Sequence, residues 1–249
     1  MSRYEFTKMQ GLGNDFIVVD GPMRFTEDEI AELCDRRHGI GADGVLVVTK
    51  LDPVRMEYWN ADGSAAEMCV NGLRCVARIA YDRGWAPDRD FAVHTPIGER
   101  RVRVHGETVE VELGRVTVGE ERVIDGVAYI LVDVGNPHAV SFTDDLDEVD
   151  LDEVGSGLQR EFESGVNVEY ATISESGIRM RVWERGVGET LACGTGMAAV
   201  VAVAGARGEA SGAVVVKAPG GEATVEIRDG VAWMKGPAAY SFTGSAGEL

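Results

Sequence analysis

The feature that most restricts how this chain folds is that it is written twice. Shifted on itself by 124 residues, almost half of its 249, the sequence lays VRMEYW (54–59) over IRMRVW (178–183). The same shift superposes Arg55 on Arg179, Met56 on Met180, Trp59 on Trp183, Cys69 on Cys193 and Gly72 on Gly196. Those five identities in the 18 positions from 55 to 72 stand against about one expected from residue frequencies. Within two residues of that shift, Gly13-Asn14 falls near Gly135-Asn136 and Gly39-Ile40 near Gly165-Val166. A chain of two similar domains accounts for this, with chance matching as the alternative.

Each half carries the same coarse elements. Alternating or apolar runs at 16–19, 45–48, 101–104 and 109–113 read as strands, as do 127–134, 166–170, 214–217 and 225–227 in the second half. Thr26-Glu27-Asp28-Glu29 is a capping box that opens a helix, which Gly39 is expected to close, with Cys34 packed in the core. In both halves a strand ending at Trp59 or Trp183 runs through a glycine-containing loop into a helix that starts at the matched cysteine. The second of these helices, CGTGMAAVVAVAGAR (193–207), is apolar nearly all round, so it is expected to be buried with sheet on several sides. The fold class that results is α/β: two pseudo-symmetric domains, each a sheet wrapped around a central helix.

Composition narrows the function classes. At 45% apolar and 27% charged residues the chain can bury a sizeable core. No run approaches the roughly 20 apolar residues of a membrane span, and the opening MSRYEFTKMQ lacks a secretory apolar region, so a soluble, cytoplasmic protein is expected. A net charge of -18, from 42 acidic against 24 basic residues, repels phosphate backbones and argues against nucleic acid as a partner. Four of the basic residues are lysine (Lys8, Lys50, Lys217, Lys235) and the other 20 arginine. Excess carboxylate with little lysine points to adaptation to high salt, an ordinary acidic enzyme being the alternative. Four cysteines are too few for a disulfide framework.

The chemistry follows from where two of those cysteines fall. A thiol at a helix N-terminus sits beside unsatisfied N–H groups and the positive end of the helix dipole, which favours thiolate. The same N–H groups bind a carboxylate. Two such thiols facing one another across an interdomain cleft suit a substrate with a carboxylate and a weakly acidic C–H: one removes the α-proton and the other returns one to the opposite face. Cys69 and Cys193 are the candidates, with His138 in GNPH and Glu184 in WERG as polar neighbours that orient or poise them. Cys34 and Cys75 read as buried packing, since Cys75 lies about 240° round the helix from Cys69. Without CxxC or HxxxH spacing, and with His38, His94, His105 and His138 scattered, no metal is expected. GLGND and GVGET match neither GxGxxG nor GxxxxGK, and no lysine context suits pyridoxal phosphate, so no cofactor is expected. A redox disulfide between Cys69 and Cys193 is a further alternative that no CxxC supports.

The segments MQGLGNDFIVVD, HGIGADGVLVV, NADGSAAEMCVNGLRC, VGNPHAV, GVNVEY and WERGVGETLACGTG, in this order, closely resemble the diaminopimelate epimerase family, from about residue 9 to about residue 242. The resemblance implies a cofactor-independent isomerase that interconverts LL- and meso-diaminopimelate on the route to lysine. It also implies two α/β halves, at 1–114 and 115–237, with a last strand in 238–249 returning to the first half, and usually a homodimer. Carried over, Cys69 and Cys193 match the base and acid, with His138 and Glu184 as their polar partners. Asn14, Asn60, Asn136, Asn167 and Arg185 match positions that hold the substrate, particularly its distal amino acid end, for which amides and a guanidinium are the suitable groups. Asn71, Gly72, Gly194 and Thr195 match the surroundings of the reacting carboxylate. One departure stands out: the family has CGNG at the first cysteine, and here Val70 follows Cys69. If that position has positive φ, valine strains the loop by about 1 to 2 kcal/mol and weakens carboxylate binding. A racemase for proline-type or histidine-type substrates, or a non-catalytic binding protein, is the alternative.

Overall fold

A computed structural model describes residues 4–66 and 68–247. The last two residues of the expected C-terminal strand segment, 248 and 249, lie outside the described residues. The chain divides into two compact units, one of residues 1–111 with 236–249 and one of residues 112–235. In the first, β1 (Tyr4–Gly11), β2 (Asn14–Asp20), α1 (Glu27–Cys34), β3 (Gly44–Thr49), β4 (Val54–Asn60), α2 (Val70–Asp82), β5 (Asp90–Thr95), β6 (Gly98–His105) and the start of β7 (Thr108–Arg115) follow in order. In the second come β8 (Thr117–Ile124), β9 (Val127–Asp133), β10 (Pro137–Phe142), α3 (Leu151–Leu158), β11 (Asn167–Ser174), β12 (Gly177–Glu184) and β13 (Gly188–Thr190). Then follow α4 (Gly194–Ala206), β14 (Val214–Ala218), β15 (Gly221–Arg228) and most of β16 (Val231–Pro237), after which β17 (Ala239–Ala246) returns to pair antiparallel with β1.

The units repeat one topology. β1/β2 and β9/β10 are antiparallel, β2/β3 and β10/β11 parallel, β3/β4 and β11/β12 antiparallel. β4/β5 and β12/β14 are parallel, and β5/β6 and β14/β15 antiparallel. The parallel steps are crossed by helices, as a parallel neighbour requires. In each unit the strands surround one helix: α2 packs against β1, β2, β3, β4 and β6, and α4 against β8 to β12, β14 and β15. From Met197 to Ala204 every residue of α4 is buried, and each of its valines brings about 1.5 to 3 kcal/mol of burial. The mixed sheet around a central helix, repeated, is the duplicated α/β fold expected from the sequence. No helix of the described residues is long and apolar enough to cross a membrane.

Two local expectations are corrected. The capping box forms as read, with Thr26 Oγ1 accepting from Glu29 N and Glu29 Oε2 from Thr26 N. The helix does not run to Gly39, however. It stops at Cys34, because the Asp35 carboxylate accepts from the backbone N–H groups of Arg37 and His38 at 2.7 and 2.6 Å and turns the chain. Gly39 instead packs on the helix end, where a Cβ would lie 2.7 Å from Leu33 O. The second correction is Val70. It is the first residue of α2, and the non-glycine residues of positive φ among the described residues are Leu12, Asp125 and Asp229. The valine is therefore unstrained, and its side chain is buried. Val70→Gly is expected to destabilise the protein by at least about 1 kcal/mol, through lost burial and added backbone freedom. It is expected to bring no gain in kcat/KM; a faster glycine variant in side-by-side kinetics would restore the strain argument.

Candidate active site

Both matched cysteines occupy the N-cap of the central helix of their unit. Cys69 caps α2 with an extended backbone, and its sulfur accepts from Gly72 N at 3.3 Å, satisfying one of the N–H groups left over in a first turn. The Cys69 thiol also donates to Asn14 Oδ1 at 3.5 Å, and Asn71 Nδ2 donates to the same oxygen at 3.4 Å. Asn14 is held from its other side by Asp43, whose carboxylate accepts its Nδ2 at 2.7 Å. Asp43 in turn pairs with Arg36 at 2.7 Å. Arg74, fully buried one turn along α2, donates to Asn71 Oδ1 at 2.8 Å and to Pro237 O at 3.0 Å. Asn14, Asn71 and Gly72 are thus gathered around Cys69. Asn60, at the end of β4, donates its amide to Ser64 Oγ at 3.0 Å in the turn that follows.

In the second unit, Cys193 caps α4 and is buried. Its sulfur lies 3.3 Å from Thr195 Oγ1, and the Glu184 carboxylate acts on it electrostatically. Glu184 also accepts from Thr190 Oγ1 at 2.5 Å. Burial raises the Glu184 carboxyl above the ordinary carboxylate range, and the Glu169 charge adds to this, against the pull of Thr190, Cys193 and His138. Burial, reinforced by Glu184 and Glu169, pushes the Cys193 thiol well above the ordinary thiol range. His138, fully enclosed on β10, meets Glu169 Oε1 through Nδ1 at 2.7 Å and Asn136 Oδ1 through Nε2 at 3.0 Å. Asn136 Nδ2 donates to Thr195 Oγ1 at 3.4 Å.

Six of the expected residues, Asn136, His138, Glu184, Cys193, Gly194 and Thr195, form one neighbourhood at the start of α4. Arg185 follows Glu184 in sequence and Asn167 pairs with His138 across β10 and β11, but here Asn167 braces backbone, donating to Pro137 O and accepting from Arg185 N, both at 3.0 Å. The Arg185 guanidinium donates to Ser164 O at 2.8 Å. Cys34 and Cys75 are buried, as read, and burial pushes their thiols up to about 11 and about 12. Sequence reasoning passed over Glu169, Asp43 and Arg74. The signal for Glu169 was available, since it is the one ionised side chain in the expected strand 166–170.

A thiol held protonated by burial titrates late. In the ligand-free protein, alkylation of Cys193 by iodoacetamide is expected to be slow at neutral pH. It should accelerate only above the usual thiol value of about 8.5. Peptide mass spectrometry reads this directly, and ready modification of Cys193 at neutral pH would contradict it.

Residues 6–119 and 130–241 each match the model of the diaminopimelate epimerase family, one match per half of the duplication. The chain belongs to that family. Diaminopimelate epimerase from Desulfitobacterium hafniense is 36% identical over 274 residues, spanning 96% of this chain and 97% of the relative. Among solved structures, the fold is similar to a phenazine biosynthesis protein of the PhzF family from Enterococcus faecalis. The TM-score is 0.79 at 12% identity, covering 99% of this chain and 100% of that one. It is also similar to a hydroxyproline epimerase from Agrobacterium vitis, solved with trans-4-hydroxy-L-proline bound, at TM-score 0.73 and 15% identity over 99% and 91% of the two chains. Membership of the diaminopimelate epimerase family makes this protein an isomerase.

Proposed function

We propose that this protein interconverts LL- and meso-diaminopimelate without a cofactor, as a step of lysine biosynthesis, with Cys69 and Cys193 as the base and acid. The observation that carries the reading is the pair of matched cysteines, each the N-cap of the buried helix of its own unit. The N–H groups of Asn71, Gly194 and Thr195 lie in the first turns of α2 and α4 and suit the reacting carboxylate. Asn14, Asn60, Asn136, Asn167 and Arg185 are the groups proposed to hold the substrate, the amides and guanidinium serving its distal zwitterion. His138 and Glu184 poise Cys193. In each direction a thiolate takes the α-proton and the other residue's thiol supplies one to the opposite face, so the pair ends with its protonation exchanged. The reading requires both thiols to reach one α-carbon. Incubation of LL-diaminopimelate in D2O tests it: deuterium at the inverted carbon is expected, and neither label nor inversion would refute the substrate assignment.

The finer setting is proposed on composition and on the family: a cytoplasmic homodimer adapted to high salt. With a net charge of -18, self-repulsion weakens as the screening length falls from about 10 Å at 0.1 M salt to about 3 Å at 1 M. The melting temperature is expected to rise by at least about 5 °C across that range. An unchanged value would identify an ordinary acidic enzyme, and sedimentation at high salt reads the dimer.

A further inference from the structure

The two units differ where the duplication would make them alike. In the first, the parallel pair β2/β3 places Phe16 opposite Gly44 and Val18 opposite Leu46; in the second, β10/β11 places His138 opposite Asn167 and Val140 opposite Glu169. The central helices confirm the correspondence: a Cβ on Gly72 of α2 would meet Leu46, and one on Gly196 of α4 would meet Glu169 Oε1 at 2.6 Å. Phe16 and Leu46 are fully buried hydrocarbon, whereas His138 and Glu169 are a fully buried, hydrogen-bonded polar pair in the same places. The fold therefore does not need charge at these positions, and a buried pair is no stabiliser in its own right. Glu169 also keeps its second oxygen, Oε2, buried without a hydrogen bond.

From Glu169 the contacts run without a break to the sulfur: Glu169 Oε1 to His138 Nδ1, His138 Nε2 to Asn136 Oδ1, Asn136 Nδ2 to Thr195 Oγ1, and Thr195 Oγ1 to Cys193 Sγ. We propose that Glu169 is a positioning residue for Cys193, anchoring this relay so that every donor in it points toward the sulfur. The inference rests on the reading of Cys193 as an acid–base group. The polarity follows by counting protons. In the proposed relay both ring nitrogens of His138 face oxygen acceptors, a carboxylate and an amide carbonyl, and both donate. The Asn136 amide then donates to Thr195, and the one hydroxyl proton of Thr195 is left for Sγ. The Thr195 donor therefore stays on the sulfur when Cys193 gives up its own proton. The charged groups acting on Cys193 are Glu184 from β12 and Glu169 from β11, beside the N-terminus of α4 itself, and the titratable His138 from β10 acts on Glu184.

The test is 15N NMR of the His138 ring in the full-length protein at neutral pH, combined with kinetics. Wild type is expected to show hydrogen on both ring nitrogens; a ring with one overturns the proposal without any variant. In Glu169→Gln one of those hydrogens should be lost, kcat should fall at least about tenfold with KM little changed, and the pH profile should move. Glu169→Asp, keeping the charge, should recover the second ring hydrogen and part of the rate. A Glu169→Gln protein with wild-type ring protonation, kcat and pH profile overturns the proposal. Failure of the underlying reading looks different: wild type would then show the doubly protonated ring but no α-proton exchange with diaminopimelate.

Discussion

Replacing either helix-start cysteine is expected to lower epimerisation of LL-diaminopimelate by about a thousandfold, since each is the sole proton carrier proposed for its face of the α-carbon. Alanine alone is an ambiguous probe, because it also removes an N-cap. At Cys69 the sulfur accepts from Gly72 N, and losing a cap costs about 0.5 to 2 kcal/mol. Serine separates the two effects. It is a better N-cap than cysteine, so Cys69→Ser should melt at or above the wild-type temperature, but its hydroxyl is a far weaker acid and cannot furnish the anion. A stable, inactive Cys69→Ser assigns the loss to proton transfer. In D2O, either single variant is expected to retain slow exchange on the face served by the remaining thiol, while inversion stops. Full inversion by Cys69→Ser or Cys193→Ser would end the two-thiol mechanism.

Much of this architecture was legible in the sequence because the duplication repeats the strongest local signals. The N-cap position of Cys69 and Cys193 followed from a strand, a loop and an apolar helix arriving at the same offsets twice. What the residues alone left hidden, including the return of the last strand that only the family resemblance implied, depended on partners distant in sequence. β17 pairs with β1 across more than 200 residues, and alternation in either strand says nothing of the other. Asn167 reads in sequence as a substrate-holding residue, and its bracing of two backbone segments is created only by the meeting of β10, β11 and β12. Val70 was misjudged because a family glycine suggested a left-handed backbone, whereas the first position of a helix accepts any residue of ordinary φ.

Helix α3 was missed for a related reason, and it makes the sharpest stability test. LDEVGSGL carries two glycines and has poor intrinsic helicity. Its start was nevertheless signalled by Asp150, whose side chain accepts from Glu153 N at 3.0 Å. The two glycines look equivalent in sequence and are opposites in structure. A Cβ at Gly155 would fall 2.6 and 2.7 Å from Trp183 Cδ2 and Cδ1, whereas one at Gly157 would meet nothing within 4 Å. Neither residue is among those of positive φ, so both substitutions gain helix propensity, about 1 kcal/mol from glycine to alanine. At Gly157 that gain stands alone, and Gly157→Ala is expected to stabilise the protein by about 0.5 to 1 kcal/mol. At Gly155 the methyl must displace an indole ring, and overpacking of about 1 to 3 kcal/mol or more outweighs the gain. Gly155→Ala is therefore expected to be net destabilising, and to lower kcat as well, because Trp183 immediately precedes Glu184 at the end of β12. Urea unfolding of the two variants should shift in opposite directions. A shift of the same sign and size in both would mean that Trp183 yields freely and that the packing of α3 does not fix the position of Glu184.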